Sequence, residues 1–145
     1  MRPPNSTHLP AIADLLAANG LPTDDLEQLD LSWFLVREAH GHIEVVGGLE
    51  RCGETALIRS VATAPTRRGR GLAGTLVEAL ELAASQHGLK ELYLLTETAE
   101  GFFARLGYVT RARDEVPDAI RTSRQFSSLC PASATVMCKR LVSKA

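Results

Sequence analysis

The order of hydrophobic periods along this sequence predicts an α/β (α+β) domain, with helices packed on one mixed sheet. Three observations carry the prediction. Apolar residues first recur at helical spacing, then gather into three turn-punctuated β-rich segments between residues 33 and 64, and then return to helical spacing after Gly71. A chain of 145 residues with 45% hydrophobic content is the size of one ordinary domain and can bury one core. Residues 1–145 are therefore read as a single domain.

The elements follow in order. Ser6 or Thr7 can cap a first helix whose apolar residues Leu9, Ile12, Leu15 and Leu16 lie on one face, and Asn19-Gly20 can end it. The stretch LPTDDLEQLD, residues 21–30, is a polar connection with room for a short helical turn. A strand then begins at Trp33, and the turn signals His40-Gly41 and Arg51–Glu54 divide residues 33–64 into an antiparallel meander. Its third member, Ala56–Ala64, is expected to be the longest and central. Leu72, Ala73, Leu76, Ala79, Leu80 and Ala83 make a helical stripe that stops at His87-Gly88. Next come a strand at Glu91–Thr96, a short helix at Ala99–Leu106 stopped by Gly107, and a strand start at Tyr108–Arg111. A helix over Pro117–Leu129, with Ile120 and Phe126 inward, and a strand over Ala134–Leu141 complete the reading.

Bulk charge excludes some partners. Sixteen basic residues against seventeen acidic leave a net charge of −1, so neither nucleic acid nor an anionic membrane surface is favoured. No apolar run approaches the roughly 18 residues needed to span a bilayer, and the first ten residues lack an apolar signal core, so a cytoplasmic location is expected. Cys52, Cys130 and Cys138 are an odd number without C-x-x-C spacing, which reads as free thiols with no metal site. The four histidines fall at a helix start, a turn and a helix end, and none is placed for catalysis.

One corner is chemically distinctive. In TAPTRRGRGLAGTLVEAL, Thr63–Leu80, Gly69, Gly71 and Gly74 allow backbone amides to turn toward one point, and the helix that starts there adds its positive dipole end. Arg67, Arg68 and Arg70 add charge, which suits a diphosphate. The P-loop pattern G-x-x-x-x-G-K-[ST] is absent. Separately, Arg59 lies between Ile58 and Val61 in an apolar strand, where a buried guanidinium needs an anionic partner, either structural or a substrate.

The run Arg68-Gly69-Arg70-Gly71-Leu72-Ala73 fits R/Q-x-x-G-x-G/A, the signature of the GNAT acetyltransferase superfamily, and the strand ending Val61–Pro65 precedes it as it does in that family. Phe102–Tyr108, FFARLGY, resembles the family's F-Y-x-x-L-G-F segment at the right spacing. The segments LIRSVA (57–62), LLTETAEGFF (94–103) and IRTSRQFSSLCPASA (120–134) resemble the arsenic-resistance-associated N-acetyltransferases within that superfamily.

The resemblance implies a GNAT fold, with a mixed, mostly antiparallel sheet, helices on both faces and splayed central strands. The splayed pair would be Ala56–Ala64 and Glu91–Thr96. It implies acetyl-CoA as cofactor, with the pyrophosphate held by the amides of Arg70, Gly71, Leu72, Ala73, Gly74 and Thr75, and with Arg68, Gly69 and Phe103 as further cofactor contacts. The backbone of Val61 and Thr63 would pair with the pantetheine arm, and the Val61 or Ala62 amide would donate to the oxyanion. Phe103 stands where many of these enzymes carry the tyrosine that protonates the thiolate; Tyr108 is retained as a candidate acid, and water is the other. A coenzyme A thiolate can leave without full protonation, its pKa being close to the cysteine reference of about 8.5. Glu50 and Glu97 are candidate bases, acting directly or through water. Arg59, Thr96, Arg121 and Thr122 are candidate substrate contacts, with Arg124 and a loop over Ser128–Ala134 nearby in sequence. The implied acceptor is a small amino acid with an anionic side chain, phosphinothricin-like or arsinothricin-like; the resemblance also allows a homodimer. Glutamate is an alternative acceptor. A non-catalytic acyl-CoA-binding or arsenite-binding domain is a further alternative, the latter through thiolates.

Overall fold

The computed structural model describes residues 1–123 and 133–141. Among the described residues the helices are α1 (Leu9–Ala18), α2 (Leu72–Gln86), α3 (Glu100–Arg105) and α4 (Asp118–Arg121). The strands are β1 (Phe34–Ala39), β2 (His42–Cys52), β3 (Thr55–Thr63), β4 (Glu91–Thr96), β5 (Val109–Arg111) and β6 (Thr135–Arg140). They form one six-stranded sheet in the order β1-β2-β3-β4-β6-β5. β3 and β4 are parallel, whereas β1–β2, β4–β6 and β5–β6 are antiparallel, so the expected mixed, mostly antiparallel sheet is present.

The chain's contacts gather into two compact units, one of Met1–Glu50 with Ser60–Leu82, the other of Arg51–Arg59 with Ala83–Ala145. In the first, Asn5 rather than Ser6 or Thr7 starts the helical segment. Its side chain accepts from the Thr7 amide at 3.0 Å and caps a 3-10 turn over Ser6–His8, after which α1 begins with a proline in its first turn. The cap moves upstream because Asn5 has the extended backbone that an N-cap requires, φ −119° and ψ 179°. Ile12, Leu15 and Leu16 are buried as their spacing predicts, packing with Leu26, Phe34, Val36, Val46 and Ala62. Full burial of one such side chain stabilises by roughly 2 kcal/mol.

Two 3-10 turns, Leu26–Gln28 and Leu31–Trp33, occupy the polar connection, so β1 starts at Phe34. His40 and Gly41, at φ 53° and 77°, form the two-residue loop of a hairpin whose strands close at Ala39 opposite His42. β2 spans eleven residues and β3 nine, so β2 and not β3 is the longest strand. Close packing suits the glycines of β2 to that strand: a Cβ on Gly48 would lie 2.5 Å from the Phe34 ring and one on Gly47 would lie 2.5 Å from Leu76.

In the second unit β4 pairs with β6 along its whole length, Glu91–Thr96 against Thr135–Arg140. Its pairing with β3 has three rungs, Thr55–Leu57 against Glu91–Tyr93, although both strands run on. Cys52, Leu57, Tyr93, Val116, Ile120, Val136 and Cys138 form the buried cluster here. α4 stops at Arg121, shorter than the periodicity predicts. The Thr122 hydroxyl donates to the Asp118 carbonyl at 3.0 Å and the Ser123 hydroxyl to the Ile120 carbonyl at 2.7 Å, bonds that compete with helix propagation. The expected continuation through Arg124, Phe126 and Leu129 lies outside the described residues, as does Cys130. Among the described residues no helix is long and apolar enough to cross a membrane.

Candidate cofactor and acceptor site

β3 delivers Val61 and Thr63 half-buried and Ala62 buried at the strand's end. One residue earlier, Ser60 adopts φ 59°, a left-handed conformation rare for a side-chain-bearing residue and a mark of local strain in mid-strand. Nothing in the sequence signals it beyond a polar residue in an apolar run.

After Thr63 a 3-10 turn over Pro65–Arg67 leads into the glycine corner. Gly69 and Gly71 both sit at positive φ, 82° and 74°, and a Cβ at either would meet nothing within 4 Å. The left-handed backbone excludes most side chains there, and the space beside it is open. Gly74 differs from the other two. It lies inside α2 without a positive φ, so its contribution is the absence of a side chain rather than a turn.

The helix start also narrows the set of amide donors. Leu72, Ala73 and Gly74 open α2, and helix geometry leaves their N–H groups without a carbonyl one turn back. Thr75, in contrast, donates its amide to the Gly71 carbonyl at 3.1 Å, and its hydroxyl contacts the same oxygen at 3.1 Å. Its amide is spent on the helix. The arginines divide in a similar way. Arg67 Nε donates to Glu44 Oε2 at 2.8 Å, and Arg68 donates from its guanidinium to Asn19 Oδ1 at 2.9 Å, while Arg70 is exposed.

The second unit carries the remaining candidates. Arg59 on β3 is 2% exposed, as a mid-sheet position implies. Thr96 ends β4 and its hydroxyl accepts from the Ala99 amide at 2.9 Å, so it turns the chain toward α3, and Glu97, in the bend between them, is exposed. Phe103 is buried in α3 and meets the ring of buried Tyr108 edge-on, with centroids 5.6 Å apart and planes at 75°. Lys139 donates to the Leu106 carbonyl at 2.8 Å and its ammonium lies 5.5 Å from the Tyr108 ring centroid. Arg121 pairs with Asp118 on its own helix. Glu50, assigned to the first unit, is half-buried within β2 rather than at the strand's end.

The thiols are inward. Cys52 and Cys138 are buried and in no disulfide. Burial pushes the Cys138 thiol up from its ordinary 9.0, against the Tyr93 hydrogen bond that lowers it, and the thiol donates to Glu91 Oε2 at 3.7 Å. Burial likewise raises Tyr93, with the Cys138 contact adding to the shift. Among the described residues no group of three His, Cys, Asp or Glu side chains is arranged to hold a metal ion.

With this geometry in place, the comparisons with known proteins are specific. The family model described as an acetyltransferase (GNAT) domain matches residues 30–110. An uncharacterized N-acetyltransferase of Chlorobaculum tepidum is 37% identical over 65 residues, 45% of this chain and 41% of that protein. The chain thus aligns with about two fifths of that curated relative. N-acetylglutamate synthase of Neisseria gonorrhoeae, solved with coenzyme A and N-acetyl-glutamate, superposes at a TM-score of 0.83 with 21% identity, over 97% of this chain and 34% of that one. Rv2747 of Mycobacterium tuberculosis, solved with CoA, gives 0.81 and 22%, over 97% and 98%. At these identities the likeness is one of fold.

Proposed function

Because the chain belongs to the GNAT acetyltransferase family, we propose that it transfers an acetyl group from acetyl-CoA to the α-amino group of a small amino acid bearing an anionic side chain. The observation that carries the cofactor half is the pair of left-handed glycines, Gly69 and Gly71, opening the fifteen-residue helix α2 beside open space. That corner fits a pyrophosphate: the orphan amides of Leu72, Ala73 and Gly74 point donors outward, and Arg70 brings an exposed charge.

The residue roles follow from what the reaction needs. Bound acetyl-CoA supplies the acetyl group, and its thiolate is the leaving group. The backbone of Val61 and Thr63 is suited to pair with an extended pantetheine arm, and the Val61 or Ala62 amide to donate to the developing oxyanion. Glu50, half-buried, is the better placed candidate to take a proton from the amine through water, since Glu97 is exposed. Phe103 has no proton to give, so Tyr108 or water donates the proton to the departing thiolate.

Arg59 supports the acceptor half as a guanidinium buried on β3, 2% exposed and engaged in interactions of its own, beside which an acidic group would add a further charge-assisted contact. The resemblance of residues 57–62, 94–103 and 120–134 to arsenic-resistance-associated enzymes favours a phosphinate or methylarsinate side chain, and so a detoxifying role. Likeness in fold to N-acetylglutamate synthase favours glutamate as the second reading. Thr96 and Thr122 are weaker contacts than their spacing suggests, since both hydroxyls are already engaged with backbone. Arg59→Ala tests the acceptor half. It should raise KM for the amino acid at least about ten-fold while KM for acetyl-CoA changes less than about twofold, as for a lost charge-assisted contact. Equal effects on both would assign Arg59 to structure instead.

A further inference from the structure

Two residues outside the glycine corner grip the segment that leads into it, Asn19 through its side chain alone and Glu44 through backbone and side chain. Asn19, at the C-terminus of α1, donates from Nδ2 to the Leu15 carbonyl at 2.9 Å and, over a longer 3.3 Å, to the Thr63 carbonyl at the end of β3, while its Oδ1 accepts from Arg68 at 2.9 Å. Glu44, on β2 and 8% exposed, accepts the Ala64 amide on its backbone carbonyl at 2.8 Å. Its carboxylate then accepts Arg67 Nε at 2.8 Å and lies 3.4 Å from Arg37 Nε. Each residue therefore holds both the strand end, Thr63 or Ala64, and an arginine further on, Arg68 five positions later or Arg67 three positions later.

We propose that Asn19 and Glu44 are positioning residues for acetyl-CoA, fixing the Thr63–Arg68 segment so that the amides beyond it are aimed before the cofactor arrives. This rests on the reading of the corner as the pyrophosphate site. The physical case is one of preorganisation. A loop with two left-handed glycines is costly to order, and ordering it at the moment of binding would be subtracted from affinity. Two anchors that each tie both ends of a short segment remove that cost in advance. The buried Glu44 carboxylate is itself stable there because two guanidiniums face it. The same geometry reassigns two of the three arginines. Arg67 and Arg68 serve as struts, and Arg70 is the charged phosphate contact.

Titration of the full chain with coenzyme A tests this. Asn19→Ala and Glu44→Gln should each weaken binding about five-fold, the worth of one net hydrogen bond. KM for acetyl-CoA should rise with it while kcat stays within about twofold, because the chemistry is untouched. Arg70→Ala should weaken binding and flatten its dependence on salt, whereas Asn19→Ala should leave that dependence as in the unsubstituted chain. Should Asn19→Ala fail to fold, Glu44→Gln, isosteric with the native side chain, carries the same expectation. Unchanged coenzyme A affinity in the folded variants would overturn the positioning role, as would parallel rises in KM for both substrates. A salt dependence that Arg67→Ala or Arg68→Ala flattens as much as Arg70→Ala would return those arginines to the phosphates. Failure of the unsubstituted chain to bind coenzyme A would instead remove the pyrophosphate reading beneath it.

Discussion

Gly71 separates two effects that are usually confounded. Its φ of 74° penalises any L side chain, yet a Cβ there would touch nothing. Gly71→Ala should therefore act through backbone strain alone, lowering stability by roughly 1–2 kcal/mol and weakening coenzyme A only modestly. Gly71→Glu adds a carboxylate where diphosphate charge would sit, and should reduce affinity about a hundred-fold or more while the fold persists, given the strength of like-charge contacts at a desolvated anion site. Equal affinities in the two variants, measured by titration with coenzyme A, would remove the pyrophosphate from this corner. At this scale the sequence was most legible where the backbone conformation itself is at issue, as at Gly69 and Gly71, both at positive φ. It was least legible where side chains choose partners. Arg68 reads as a phosphate ligand until Asn19 is seen to hold it, Thr75 as an amide donor until Gly71 accepts from it, and Asn19 only as a helix stop. Residues 69–74 also spell G-x-G-x-x-G, the spacing of a dinucleotide turn. Both motifs ask the same of the backbone, and the antiparallel β1–β2 and β4–β6 pairings set this sheet apart from the parallel, doubly wound one.

Elements were legible in proportion to their periodicity. β4 appears at Glu91–Thr96, where alternation and turn signals bounded it, and α2 runs Leu72–Gln86 on the stripe that the apolar residues drew. Strand β2, not β3, is the longest, and it contains a glycine pair whose packing the sequence does not show. That packing makes a prediction. The Phe34 ring is 1% exposed and covers Gly48 with three ring atoms at 2.5 Å from a would-be Cβ, so it has nowhere to move. Gly48→Ala should cost roughly 1–3 kcal/mol by overpacking, seen as a fall of several degrees in Tm. Combining it with Phe34→Ala should cost less than the sum of the two single changes, because the second removes the atoms that clash. Strict additivity in thermal unfolding would contradict the close contact. Helix α4 was overextended: Ile120 fits the helical stripe, but the hydroxyls of Thr122 and Ser123 turn back onto carbonyls within the last turn.

For the molecule as a whole, a net charge of −1 turns attention from bulk electrostatics to one local cation cluster, in which Arg67 pairs with Glu44 and Arg68 with Asn19. Stability should carry a signature of the buried thiol. Cys138 is raised above its ordinary 9.0, chiefly by burial, and Tyr93 above its ordinary 10.0 for the same reason. Groups whose acid forms are favoured in the folded state contribute fully below their unfolded values and lose that contribution as pH rises through the folded ones. Tm should thus hold through neutral pH and decline above pH 9.0, more shallowly in Cys138→Ala than in the unsubstituted chain. Identical alkaline slopes would show that the thiol is not coupled to folding. The activity itself is tested most directly by free-thiol release from acetyl-CoA, measured with purified protein across glutamate, phosphinothricin, arsinothricin, polyamines and a peptide N-terminus. Release confined to the amino acids with anionic side chains, and strongest with the phosphinate or arsinate, is the predicted result. Release with polyamines or peptide amines instead, or with no acceptor despite confirmed coenzyme A binding, would contradict it.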